Sequence, residues 1–158
     1  MKAVELSKTG GAEVLEVKDI TLNKPSPDEV TIEQKAIGLN YIDTYHRSGL
    51  YPIKLPSGLG LEGAGVITKV GENVKEFKVG DKISYAGIPL GSYSTHRNYP
   101  TKNLVKVPDS IDLEVAATLM TKGLTTFYLL HKTYPVKSGQ TILFLSLIHI
   151  SEPTRPTL

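Results

Sequence analysis

Side chains with a lone pair or an acidic proton in a useful pattern are few in this sequence. There is no cysteine among the 158 residues, so thiolate metal ligands, disulfides and a cysteine nucleophile are excluded. The four histidines, His46, His96, His131 and His149, have no metal-ligand spacing. The densest pattern is GLGLEGAGVITKVGENVKEFKVGD, Gly58 to Asp81, and Gly58, Gly60 and Gly63 in it satisfy the dinucleotide fingerprint G-x-G-x-x-G. That fingerprint binds pyrophosphate only where it leaves a strand and opens a helix. Here it follows Pro52 and Pro56, which mark a loop, and runs into the β-branched stretch Val66 to Val70. The glycines are therefore read as allowing tight bends and close backbone approach in a small curved sheet.

The elements that would carry any chemistry follow from periodicity. Lys2 to Leu6, Val14 to Ile20 and Glu29 to Ile37 read as short strands separated by Gly10-Gly11 and by Pro25 to Asp28. Asn40 is placed as an N-cap, with a short helix over Tyr41 to Ser48 stopped by Gly49. Lys82 to Tyr85, Ser92 to Tyr99 and Leu104 to Val107 continue the strands. The period then changes. Asp112 caps an expected helix over Leu113 to Met120, Thr121 caps a second over Lys122 to Tyr134, and Thr141 to Phe144 is expected as a strand. Short strands followed by helix–strand alternation predict a barrel or sandwich and then the start of an α/β domain.

Composition sets wider bounds. A hydrophobic share of 40%, a charged share of 22% and a net charge of +2 fit a soluble globular protein and give no electrostatic reason to expect nucleic acid or an anionic membrane. No apolar run reaches membrane-spanning length and the N-terminus is no signal peptide, so the cytoplasm is the expected setting. The last stretch, LSLIHISEPTRPTL, breaks the pattern: it has no glycine and two prolines where a phosphate loop and a helix would be needed. It reads as a translated sequencing-adapter remnant, so residues 145–158 are left out of the fold expectation, His149 and Arg155 with them.

Four stretches carry a resemblance: KAIGLNYIDTYHRSGLYP (Lys35 to Pro52), LPSGLGLEGAGVITKVG (Leu55 to Gly71), VGDKISYA (Val79 to Ala86) and KGLTTFYLLHKTY (Lys122 to Tyr134). In this order and at these distances they resemble the zinc-free NADPH:quinone oxidoreductases of the medium-chain dehydrogenase/reductase superfamily, the zeta-crystallin-like group. The resemblance runs over about residues 1 to 144. It implies a mainly β fold with α+β character: a GroES-like, partly open β-barrel over residues 1–112, then the first helices and strand of a truncated Rossmann NADPH-binding domain over 113–144. The family's glycine-rich cofactor loop should follow Thr141 to Phe144, where Leu145-Ser146-Leu147 stands instead. The expectation is very weak NADPH binding and no useful turnover by this polypeptide alone.

The same resemblance assigns roles. Zinc-dependent relatives place a cysteine and a His-Glu pair where this chain has Asn40 and Leu61-Glu62. Asparagine does not replace a thiolate and leucine offers no lone pair, so no metal is expected. Hydride would pass from NADPH directly to a quinone or similar electron-poor acceptor, with the protein supplying position and polarity. Asn40, donating to an oxygen that gains charge, and Tyr51, offering a flat face and a hydroxyl, would line the acceptor pocket. Tyr41, Ile42, Asp43, Thr44 and Tyr45 would face the cofactor, as would Thr125 and Tyr128. Five of them have a plainer role open: helix cap for Asn40, helix-start carboxylate for Asp43, ring packing for Tyr51, helix packing for Thr125 and Tyr128. Glu62 is expected to be structural, paired with Arg47 or Lys122. A full-length homodimer is implied. Two other readings stay open, a zinc alcohol dehydrogenase relative and a non-enzymatic β-barrel interaction module.

Overall fold

The computed structural model describes residues 1–143. Eight strands and two α-helices follow in the order β1 (Lys2–Leu6), β2 (Glu16–Asp19), β3 (Glu29–Gly38), α1 (Tyr41–Ser48), β4 (Ser57–Gly58), β5 (Glu62–Val70), β6 (Lys82–Ala86), β7 (His96–Pro100), β8 (Leu104–Lys106) and α2 (Leu113–Phe127). They form a three-stranded sheet, β2-β1-β4, and a five-stranded sheet, β7-β3-β5-β6-β8, with every pairing antiparallel. A single bridge, Ala3 to Ser94, ties β1 to the chain entering β7. Short antiparallel strands match the expectation from spacing, and the open sheets match the partly open β-barrel that the resemblance implied.

Alternation in β3 explains its place at the centre. Val30 and Ile32 turn inward and are fully buried, facing Ile67 of β5, Ile83 and Tyr85 of β6 and Tyr99 of β7. Phe77 and Leu104 close this core. A buried cation lies beside it: Arg97 stacks on Tyr99 at 4.6 Å and Tyr85 at 5.2 Å and donates to the carbonyls of Pro89 (2.7 Å) and Leu90 (3.2 Å). Carbonyl acceptors and two ring faces stand in for a carboxylate partner.

The glycines behave as read. Gly60 has φ +86 and turns the chain into β5, where a Cβ would fall 2.2 Å from Ser92 Oγ. Gly65 sits inside β5, where a Cβ would fall 2.2 Å from the Glu33 carbonyl, so glycine lets β3 and β5 close on each other across a register shift. No helix opens on the Gly58-Gly60-Gly63 stretch.

Three local expectations are corrected. Val14 to Ile20 is not one strand: Ala12–Val14 winds into a 3-10 turn that buries Val14, and the strand begins at Glu16. Thr121 does not open a second helix. One helix runs Leu113–Phe127, followed by a π-helical turn over Tyr128–Thr133. The Thr125 hydroxyl donates to the Thr121 carbonyl (2.7 Å) inside the continuous helix, and the Thr121 N–H goes to Glu62. Residues 141–143 show no strand, since no other described strand pairs with them. Phe144 and residues 145–158 lie outside the described residues. The chain divides into a compact unit over Met1–Thr126 and a second beginning at Phe127.

Candidate functional site

The site is built around Asn40, the residue that ends the run from β3 into α1. Its backbone is extended (φ −129, ψ 145), as an N-cap requires, and Gly49 closes the helix in the left-handed region at φ +85. The Asn40 N–H donates to Asp43 Oδ2 at 3.0 Å, and the Asp43 N–H donates to the Asn40 carbonyl at 3.0 Å. Asp43, 2% exposed, therefore acts as the helix-start carboxylate. Its Oδ2 also accepts the Tyr93 hydroxyl at 2.8 Å. Burial first, then this bond to Asp43, holds the Tyr93 phenol well above its usual range.

The Asn40 side chain is committed inward. Nδ2 donates to Glu62 Oε2 at 2.7 Å and, weakly, to the Gly38 carbonyl at 3.5 Å; Oδ1 accepts from Lys122 Nζ at 3.2 Å. One amide hydrogen of Asn40 is thus firmly engaged by Glu62 and the other only loosely by Gly38. Glu62 is fully buried, and its other oxygen accepts the Thr121 N–H at 2.7 Å. Its expected partners are corrected. Arg47 makes no bond to it, and Lys122 reaches it only through Asn40, with a second bond to the Leu39 carbonyl at 3.2 Å. One carboxylate thereby holds together the start of β5, the entry to α1 and the middle of α2.

Three of the aromatic residues singled out in the sequence are brought together. Tyr41 meets Tyr45 edge-on with centroids 5.3 Å apart, and Tyr45 meets Tyr51 at 5.2 Å. The i,i+4 spacing stacks the first pair along α1, and the Tyr51 N–H, bonded to the Tyr45 carbonyl at 3.2 Å, returns the loop onto the helix end. Tyr41 and Tyr51 remain 64% and 48% exposed, which leaves a ladder of flat apolar rings and free hydroxyls at the surface. Ile42 and Thr44 are half-buried beside it, and the Thr44 hydroxyl donates to the Tyr41 carbonyl at 2.7 Å. Thr125 is exposed on α2 with its hydroxyl proton already given to Thr121, so toward a ligand it acts as an acceptor. Tyr128 belongs to the second unit and is exposed there. An open apolar hollow of about 530 Å³ lies elsewhere, lined by Ala3, Val4, Val17, Ala36, Ile37 and Leu39 among others, and none of the nominated residues borders it.

A dinucleotide fits these residues only in part. The aromatic ladder offers ring faces, and the Thr125 hydroxyl, on another helix, offers an acceptor. Among the described residues no α-helix opens on a glycine turn, the helix after Gly10-Gly11 is a three-residue 3-10 turn, and the space beside Gly60 and Gly63 is filled by Ser92, Tyr93, Gln34 and Tyr85, so no pyrophosphate cradle is present in them. Glu62 has both oxygens engaged.

A family model, the alcohol dehydrogenase GroES-like domain, matches residues 26–109. The chain belongs to this family. Among its relatives, a quinone oxidoreductase of Pseudomonas aeruginosa is 54% identical over 144 residues, 90% of this chain and 44% of that protein. A 2-haloacrylate reductase of a Burkholderia species is 40% identical over 147 residues, 89% of this chain and 44% of that protein. The crystal structure of Escherichia coli quinone oxidoreductase complexed with NADPH superposes with a TM-score of 0.84 at 48% identity, covering 87% of this chain and 42% of that one. This GroES-like chain therefore spans less than half the length of the relatives it matches. Asn40 and Lys122 are the members of the site whose joint geometry sequence reasoning missed, because their contact links positions 82 residues apart.

Proposed function

We propose that this GroES-like domain is the acceptor-binding part of an enzyme that reduces quinones, or similarly electron-poor carbonyl compounds, with NADPH. Fifty-four per cent identity to a quinone oxidoreductase across 90% of the chain carries the reading. The 40% identity to a 2-haloacrylate reductase supports an electron-poor acceptor as the common feature. NADPH, when bound, supplies hydride, and this chain's residues shape one wall of the reaction space. Tyr41, Tyr45 and Tyr51 offer the faces against which flat rings lie. Asn40 sets the entry of α1, Ile42 and Thr44 flank the ladder, Asp43 holds the helix start and Thr125 accepts from a carboxamide. Tyr128, in the second unit, offers an exposed ring and hydroxyl of its own toward the cofactor. Chemistry without zinc follows from the donor set, since Leu61 has no lone pair and Glu62 is already engaged on both oxygens.

A cytoplasmic, homodimeric full-length protein goes with this reading. Among the described residues no helix is long and apolar enough to cross a membrane. The test is NADPH oxidation by the full-length protein with 1,4-benzoquinone, with and without EDTA. Turnover that survives chelation is expected. Turnover abolished by EDTA and restored by zinc would favour the alcohol dehydrogenase alternative, and no turnover with any quinone would favour the interaction module.

A further inference from the structure

We propose that Lys122 supplies the positive charge that meets the acceptor's oxygen, and that Asn40 and Glu62 are there to hold its ammonium in place. The proposal rests on the reductase reading above. Asn40 is the residue whose position invites the donor role, yet the firm contacts of its amide run to Glu62 and Lys122. The orientation of that amide is fixed by chemistry on both sides. A lysine ammonium only donates and a carboxylate only accepts, so Oδ1 must face Lys122 and Nδ2 must face Glu62. Turning the amide over would set carbonyl against carboxylate and NH2 against ammonium, two repulsive contacts in a buried place.

Lys122 has what Asn40 lacks. Of its three N–H donors, one goes to Asn40 Oδ1 and one to the Leu39 carbonyl, each at 3.2 Å. The third meets no acceptor among the described residues, and the side chain is exposed. Two fixed carbonyl contacts confine an otherwise flexible ammonium next to the first residue of α1. Thr125, three residues on, lies on the same face of α2. The face that presents an acceptor to the carboxamide therefore also presents a cation.

The chemistry balances. A quinone that takes a hydride, with its two electrons, from a reduced nicotinamide becomes a hydroquinonate anion. The free N–H of Lys122 donates to that oxygen as its charge develops. One proton taken up from solution, passed through the solvent-exposed ammonium, completes the hydroquinone and leaves Lys122 as it began, so each turnover consumes one hydride and one proton. A plainer role is also available to Lys122, that of a clip on the Leu39 carbonyl, and the experiment separates the two.

The chain itself is titrated with 4-nitrophenolate, whose oxyanion stands for the hydroquinonate, against neutral 4-nitroanisole, with binding read by absorbance. The full-length protein is assayed in parallel with NADPH and 1,4-benzoquinone. Lys122→Met is expected to weaken phenolate binding by roughly tenfold, one charged hydrogen bond's worth, and to leave 4-nitroanisole unchanged. Lys122→Arg is expected to restore phenolate binding to within about threefold. In turnover, Lys122→Met should lower kcat with the KM for NADPH unchanged. Where Lys122→Met does not fold, Lys122→Gln keeps a donor to Leu39 without the charge and should show the same loss. Phenolate binding equal in wild type and Lys122→Met, or normal turnover by Lys122→Met, overturns the proposal alone. No turnover by the wild-type full-length protein overturns the reductase reading and the catalytic role of Lys122 with it.

Discussion

The five-stranded sheet and the helical stretch after residue 120 handle their apolar side chains in opposite ways. Val30, Ile32, Ile67, Ile83, Tyr85 and Tyr99 are all fully buried, and even the cation beside them, Arg97, finds carbonyls and ring faces. Leu124, Phe127 and Tyr128 are each more than half exposed. Only the N-terminal half of α2 is covered, where Ala116 and Ala117 pack on Ala64 of β5 and the Ser84 hydroxyl reaches the Ala116 carbonyl at 2.8 Å. The sheet is complete in itself, whereas the end of α2 displays a face that nothing in the described residues covers. The stability of this chain should therefore reside in the sheet and its solubility should be decided by the helix.

The sharpest way to break that comparison is to damage the sheet. Ile67→Ala removes a fully buried side chain from between Ile32 and Ile83 and should cost about 4 kcal/mol, read as a fall in the urea midpoint. A loss under about 1 kcal/mol would mean that the core is not where stability lies. Glu62→Ala tests the bolt between the two regions. It strands the Asn40 amide and the Thr121 N–H, so a loss of about 2–3 kcal/mol is expected in the same assay. An unchanged midpoint would show that α2 does not need this carboxylate.

How much of this was visible in the residues alone depended on range. Alternation along Glu29 to Ile37 identified β3 because each inward residue carries its own signal, and Asn40 and Gly49 bracketed α1 because caps are local. The glycine pattern was correctly separated from a phosphate loop by its flanking prolines and β-branched residues. What failed was long-range. A threonine before an apolar helical run looks like a cap, and nothing near position 121 says that a carboxylate 59 residues earlier takes its N–H. The partners of Asn40 were hidden for the same reason: the groups that meet its amide sit at Glu62 and Lys122, on other elements. The early winding of Ala12–Val14 was hidden because the apolar residues on either side fit a strand equally well.

A smaller effect joins the sheet to α1. Tyr93 donates to Asp43 across 50 residues, and burial with that bond raises its phenol above the unfolded value. A group whose folded pKa is raised contributes stability that is whole below the unfolded pKa and is lost as pH climbs above it. The window here opens near pH 10, the ordinary tyrosine value. Tyr93→Phe should cost about 1 kcal/mol at neutral pH and flatten the decline in stability above pH 10, measured as urea midpoints across pH. A variant as steep as wild type in that range would assign the alkaline loss to Tyr85 and Tyr99, whose phenols burial also pushes up.

The smallest change in stability should come from the exposed end of α2, and that contrast is the point of testing it. Leu124 and Phe127 stand three residues apart on one helix face, 57% and 53% exposed. Replacing both with lysine removes apolar surface that water already touches, so the urea midpoint should move by no more than about 0.5 kcal/mol. Self-association should fall clearly, because a face of this kind is buried by copies of the chain when nothing else covers it. Sedimentation velocity at several concentrations checks both halves of the expectation. If the double variant associates as wild type does, the sticky surface lies elsewhere, and the apolar hollow around Val4, Ile37 and Leu39 becomes the region to alter next.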